Sequence, residues 1–281
     1  MNRAIVLMLG AALLAGCAST PPDDDVKIQD IHGLALDPNQ PTRLYVATHH
    51  GLFVAENDTG WAAVTERPFD MMGFTMHPRH AHIMYASGHP SGIGQGWAVG
   101  VVKSIDGGRT WTTLALKNEV DFHAMAMEAG NQDGADTVYG FHGGKVHYSH
   151  DGGTTWTNHA VPFAVASLAV DPTTGDLVAA TDEGLVRAPR HLRGEWVRVA
   201  PGESLGVTVI QDLWIAYFSD SGLARSVDGG TTWTPLNWMP PANDYPWGFA
   251  GTDDGSSVYV GTARGTIHKS MDGGASWTRV R

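Results

Sequence analysis

Ser104-Ile105-Asp106-Gly107-Gly108-Arg109-Thr110-Trp111 is one of four near-identical octapeptides in this chain. The others are Ser149-His150-Asp151-Gly152-Gly153-Thr154-Thr155-Trp156, Ser226-Val227-Asp228-Gly229-Gly230-Thr231-Thr232-Trp233 and Ser270-Met271-Asp272-Gly273-Gly274-Ala275-Ser276-Trp277. Their Asp residues, Asp106, Asp151, Asp228 and Asp272, are spaced so that the middle gap is nearly two periods. A degenerate copy ending in Gly194-Glu195-Trp196 fills that gap, and Glu56-Asn57-Asp58-Thr59-Gly60-Trp61 lies one period before the first. The tryptophans therefore count six units of about 44 residues.

Within each unit the order is constant. A first apolar strand is followed by a second, β-branched one (Leu44–Ala47, Leu177–Ala180, Val258–Gly261), a third opening on Gly, and a fourth at the Trp. Four short strands per period without helical spacing predict an all-β fold, a six-bladed β-propeller with four-stranded antiparallel blades. In each octapeptide the Asp is placed to accept backbone N–H groups and a hydroxyl, the Gly pair supplies positive φ, and the Trp covers the hairpin. The Met residues at 76, 84, 125 and 127 fall within apolar strands and read as core.

The N-terminus reads differently. Arg3 precedes an apolar run, Ala4 to Gly16, too short to span a bilayer, which ends at Cys17, the only Cys. Leu14-Ala15-Gly16-Cys17 resembles the lipobox of bacterial lipoprotein signals. That resemblance implies a signal peptide at 1–16, a lipidated Cys17, a polar tether over 17–26, and a propeller over 27–281. It places the chain outside the cytoplasm, anchored to the cell envelope. Ala18 after the Cys implies the outer membrane, periplasmic side, in a Gram-negative host. With its only thiol acylated, the chain has no disulfide or thiolate chemistry. The net charge of −11 excludes non-specific nucleic-acid binding, which needs clustered Lys and Arg.

The octapeptide is similar to the Asp-box, or bacterial neuraminidase repeat. The strings Asp30-Ile31-His32-Gly33-Leu34, Thr48-His49-His50-Gly51 and Asp121-Phe122-His123-Ala124 resemble a bacterial propeller family labelled glycosylhydrolase. The resemblance implies that the octapeptide turns lie away from the ligand face, and that the face itself carries any chemistry. Sialidases of that superfamily use an arginine cluster, a Tyr nucleophile and an acid/base Asp. No Arg-Ile-Pro string occurs, and Arg264 is the one cation at these blade edges. More distant likenesses, to sortilin-type receptors and photosystem assembly factors, imply protein or peptide binding.

In a propeller the start of each innermost strand and the second-to-third turn share one face. On blades one to three these positions hold His32, His49, His50, His89, His123 and His142, six of fourteen histidines. His32, Met72 and His123 occupy one equivalent position, and imidazoles with a thioether suit copper or zinc. His49, His50, His89, His142, Trp247 and Arg264 complete a ligand-binding ring, with Trp247 read as a turn residue. Asp182 and Asp220 form the candidate carboxylate pair for glycoside hydrolysis. Asp30, Asp70 and Asp121 read as caps on backbone amides. His77, His80 and His82 fall on the opposite face and read as solvated, and the insertion at 87–99 as an overhang of the His face. Three readings stay open: a metal-binding ligand site, a carbohydrate-active enzyme, and a protein-binding or assembly module.

Overall fold

The first repeat unit folds as β1 (Ile31–Asp37), β2 (Gln40–Thr48), β3 (Gly51–Glu56) and β4 (Thr59–Ala63), paired antiparallel in chain order. The computed structural model describes residues 28–92, 94–130 and 134–281. Over them, six such sheets form, each built from four strands consecutive in sequence. This is an all-β, six-bladed β-propeller. The expected signal peptide over 1–16, Cys17 and the expected tether over 17–26 lie outside the described residues.

The innermost strands after β1 are β5 (Asp70–Met76), β9 (Ala124–Glu128), β13 (Val165–Val170), β17 (Ser204–Ile210) and β21 (Pro246–Gly251). They surround a central channel of about 1050 Å³. Second strands lie between neighbouring blades and are buried on both faces. Residues Leu177–Thr181 and Val258–Thr262 are buried throughout, which explains their continuous apolar reading. The core is accordingly divided into inter-blade clusters. One of them joins Tyr45, Ala47 and Leu52 of blade one to Met71, Phe74, Met76 and Met84 of blade two.

The four octapeptides fold alike. Ser104 Oγ donates to Asp106 Oδ1 (2.8 Å), Thr110 N–H donates to the same oxygen (3.0 Å), and Thr110 Oγ1 donates to Oδ2 (2.6 Å). The Trp111 indole N–H donates to the Gly108 carbonyl (3.0 Å). The hydroxyls of Thr110, Thr232 and Ser276 lead the donors that hold Asp106, Asp228 and Asp272 down to about 2. Gly107 and Gly108 take φ of 76° and 87°, as the turn requires. These turns lie at the end of the blade away from the His-rich face, where Gly107 N–H donates to His82 O (3.1 Å).

The ring closes without strand exchange. Ile28, Ile31, Leu34 and Val46 of the N-terminal segment pack against Ala250, Tyr259 and Ile267 of blade six. The degenerate first copy adds a polar clasp, since Asp58 accepts from Tyr259 Oη and from Lys269 Nζ, both at 2.8 Å. All three groups are largely buried, so charge-assisted bonds here keep most of their strength. Asp58→Ala is expected to lower unfolding free energy by about 2 kcal/mol, from the lost bonds and a partly buried ammonium left without its carboxylate. Urea unfolding of the variant checks this.

Candidate functional site: an imidazole and carboxylate face

The first strands share a local defect that aims side chains at the channel mouth. Pairing of β1 with β2 shifts register between Ile31 and Gly33, leaving His32 as a bulge. The same shift isolates Met72, Ala166, Leu205 and Trp247 in blades two, four, five and six. His123 precedes β9 in the third blade, at the equivalent place. A bulge re-aims one side chain while the strand continues. His32, His123, Ala166 and Trp247 line the channel as a result. Trp247 thus belongs to a strand, not to the turn expected from sequence: Tyr245, just before it, ends the loop.

Second-to-third turns supply the outer layer. Thr48 is fully buried at the end of β2, its Oγ1 donating to Gly51 O (3.0 Å) and accepting from His50 N–H (2.9 Å). That bond holds the turn carrying His49. Thr181 repeats it beneath Asp182, donating to Gly184 O (2.7 Å) and accepting from Glu183 N–H (3.2 Å), while Thr262 beneath Arg264 accepts instead from Thr266 N–H (3.2 Å). The Thr-x-x-Gly spacing was visible in the sequence as a signal for these turns.

Across blades one to three imidazole and carboxylate side chains alternate. His49 approaches Asp30 (Nδ1 to Oδ2, 3.9 Å) and Asp70 (Nε2 to Oδ1, 3.7 Å). His89 bridges Asp70 (3.2 Å) and Asp121 (3.0 Å), and His123 Nε2 pairs with Asp121 Oδ2 at 2.7 Å. His142 Nδ1 lies 3.0 Å from Asp121 O. The carboxylates of Asp30, Asp70 and Asp121 therefore meet imidazoles, where caps on backbone amides were expected. An imidazole on the same assembled face is a stronger partner for a carboxylate than a turn amide.

His32 stands apart. Its ring stacks on His49 (centroids 4.6 Å, planes 9° apart) and meets Trp247 edge-on (5.5 Å). Both ring nitrogens are buried without a hydrogen-bond partner. Burial, with His49 and His123 nearby, pushes its pKa down to about 3, so it is neutral at pH 7. His123 moves the other way, raised by its bond to Asp121. Burial pushes the Asp121 carboxyl up, but the hydrogen bond and the charges of His123 and His89 outweigh it, leaving the carboxyl below its ordinary range.

The other sequence candidates are placed as follows. Met72 is buried in the β5 bulge. His50 is exposed and engages the turn through its backbone. Asp182 and Asp220 are exposed, Asp182 Oδ1 accepting from Ala164 N–H (2.9 Å), and neither lines the channel. Arg264 is exposed, with its N–H on Asp244 Oδ1 (3.1 Å). Trp97 reaches over the face from the second-blade insertion, 6.0 Å from His142, its indole N–H donating to Asn118 O (2.8 Å). Sequence reasoning named the insertion but not Trp97. His77 is a correction: it is 3% exposed, not solvated, with Nε2 3.4 Å from Asp136 Oδ1. Arg79 N–H donates to its Nδ1 (3.0 Å), so the ring is held inside the turn, while His80 and His82 are exposed.

No protein-family model matches the chain. Over an alignment of 298 positions, covering 99% of this chain and 86% of the other, it is 24% identical to the photosystem II assembly lipoprotein Ycf48 of Synechococcus sp. (strain CC9902). The chain is a six-bladed β-propeller with an assembly lipoprotein and a xyloglucanase among its homologues. The second, a xyloglucanase of Paenibacillus sp., is 33% identical over 139 residues, 39% of this chain and 14% of the enzyme. The structure of a Ycf48 bound to D1 peptide superposes with TM-score 0.55 at 14% identity, covering 90% of this chain and 81% of that one, a likeness of fold.

Proposed function

We propose that this chain is a lipid-anchored, extracytoplasmic binding module whose imidazole and carboxylate face holds a segment of a partner protein during its assembly. The observation that carries this reading is the match to an assembly lipoprotein along 99% of the chain. Geometry favours it over hydrolysis. The face spans three blades, with exposed aromatic rings at Trp97 and, on blade six, Tyr245. Imidazoles and carboxylates in alternation offer donors and acceptors to a peptide backbone, and the rings offer rigid apolar contact at small entropic cost. Asp182 and Asp220, the carboxylates a glycosidase would use, are both open to solvent and lie outside the channel.

A photocrosslinking residue at Trp97 is expected to capture one predominant partner polypeptide in the envelope. Asp121→Ala, which releases His89 and His123, should abolish that capture, while the same probe at Met271, on the opposite face, should capture none. Equal capture at Met271 would sink the reading. The xyloglucanase match supports a carbohydrate alternative, and turnover of xyloglucan oligosaccharides that is lost in Asp182→Asn would establish it instead.

A further inference from the structure

We propose that His32, His49 and Asp70 form a binding site for one divalent transition-metal ion, with zinc the best fit to the donor set. One ligand atom from each lies within 4.8 Å of the others. His32 offers two buried ring nitrogens without partners, and Asp70 Oδ1 is also buried and unpartnered. Buried polar atoms are nearly always satisfied, so an imidazole nitrogen of His32 and a carboxylate oxygen of Asp70, orphaned near one another from two blades, mark a place for something that accepts lone pairs. A cation accepts one lone pair from each residue.

The surroundings hold the donors in the required form. Asp30 faces Nδ1 of His49 (3.9 Å) while Nε2 faces Asp70, and His89 engages the second oxygen of Asp70 (3.2 Å). A carboxylate behind a ligating imidazole is the usual outer support of a metal site. Trp247 fixes the ring of His32 from its edge. The His89, Asp121 and His123 group is different, because its short contacts are spent on one another at 3.0 and 2.7 Å. Two imidazoles and one carboxylate without a sulfur donor suit zinc over copper(I), and a tetrahedral ion keeps its fourth position open. Zinc–nitrogen bonds of about 2.0–2.1 Å need donor atoms about 3.4 Å apart. The donors, within 4.8 Å of one another, must close by up to about 1.4 Å, and His49, on an exposed turn, is the arm that moves. The site stands independently of partner binding.

Zinc titration of the purified full chain by calorimetry, after chelator treatment, tests it. One ion per chain is expected at micromolar zinc or tighter. His49→Gln, His32→Gln and Asp70→Asn should each weaken binding at least about tenfold, and His123→Gln less than threefold. Cobalt(II) should give visible absorption bands that His49→Gln removes; this variant lies on an exposed turn and keeps the fold. Absence of uptake, or unchanged affinity in His49→Gln, overturns the proposal, as does equal loss in His123→Gln.

Discussion

Gly88→Ala is expected to lower the unfolding free energy by about 3–5 kcal/mol, the sum of a clash and a strained backbone. Gly88 has φ of 149°, a region that L side chains rarely enter. A Cβ there would stand 1.9 Å from the carbonyl oxygen of Asp70 and 2.9 Å from Met72 N. Both contacts are backbone, so no side chain can swing aside. The strand pair must separate at the β5 bulge, and Asp70 moves with it. The same substitution should therefore weaken the face as well as the fold. Gly143→Asn is the control: φ is 59° and nothing lies within 4 Å of an added Cβ, so its cost should stay within about 0.5 kcal/mol. Guanidinium unfolding of both variants decides. A loss below about 1 kcal/mol for Gly88→Ala contradicts the geometry.

Acid should destabilise the protein with a slope set partly by His32. Its folded pKa, about 3, lies below the ordinary 6.5, so the unfolded chain takes up a proton that the folded chain refuses. Its contribution is complete above pH 6.5 and falls as pH drops toward 3, by up to about 1.4 kcal/mol per pH unit. His77, His147 and His268 are also lowered by burial and act in the same direction. His32→Gln should flatten the stability curve by about one proton between pH 6 and 4. His123 has the opposite sign. Its folded pKa is raised by Asp121, so its contribution is present below pH 6.5 and is lost as pH rises through the folded value. His123→Gln should therefore cost stability at pH 5 and little at pH 8. Chemical denaturation across pH 4–8 measures both, and parallel curves for His32→Gln and the parent chain refute the assignment.

Much of the fold was legible because its signals are local. The Ser, Asp, Gly and Trp of each octapeptide bond to one another within eight residues, and their period counts the blades. Apolar second strands announced burial between blades, and the order of strands fixed which residues begin each innermost strand. That was enough to put His32, His49, His89, His123 and His142 on one face. It was not enough to pair them. Asp70 meets His49 and His89 from different strands, and Asp121 meets His89 across a blade boundary, so no spacing records these contacts. His77 shows the same limit, since its burial depends on Asp136 in the next blade.

The sequence by itself determined the six blades, the octapeptide turns and the crowding of histidines on one edge, because hydrogen bonds within a turn and alternation along a strand depend on neighbours in the chain. Tertiary structure alone decided that Asp58 closes the ring, that bulges aim His32 and Trp247 into the channel mouth, and that carboxylates separate most of the imidazoles while leaving His32 without a hydrogen-bond partner. Those outcomes depend on which blades become neighbours and on what burial removes from water, and both are settled only when the ring closes.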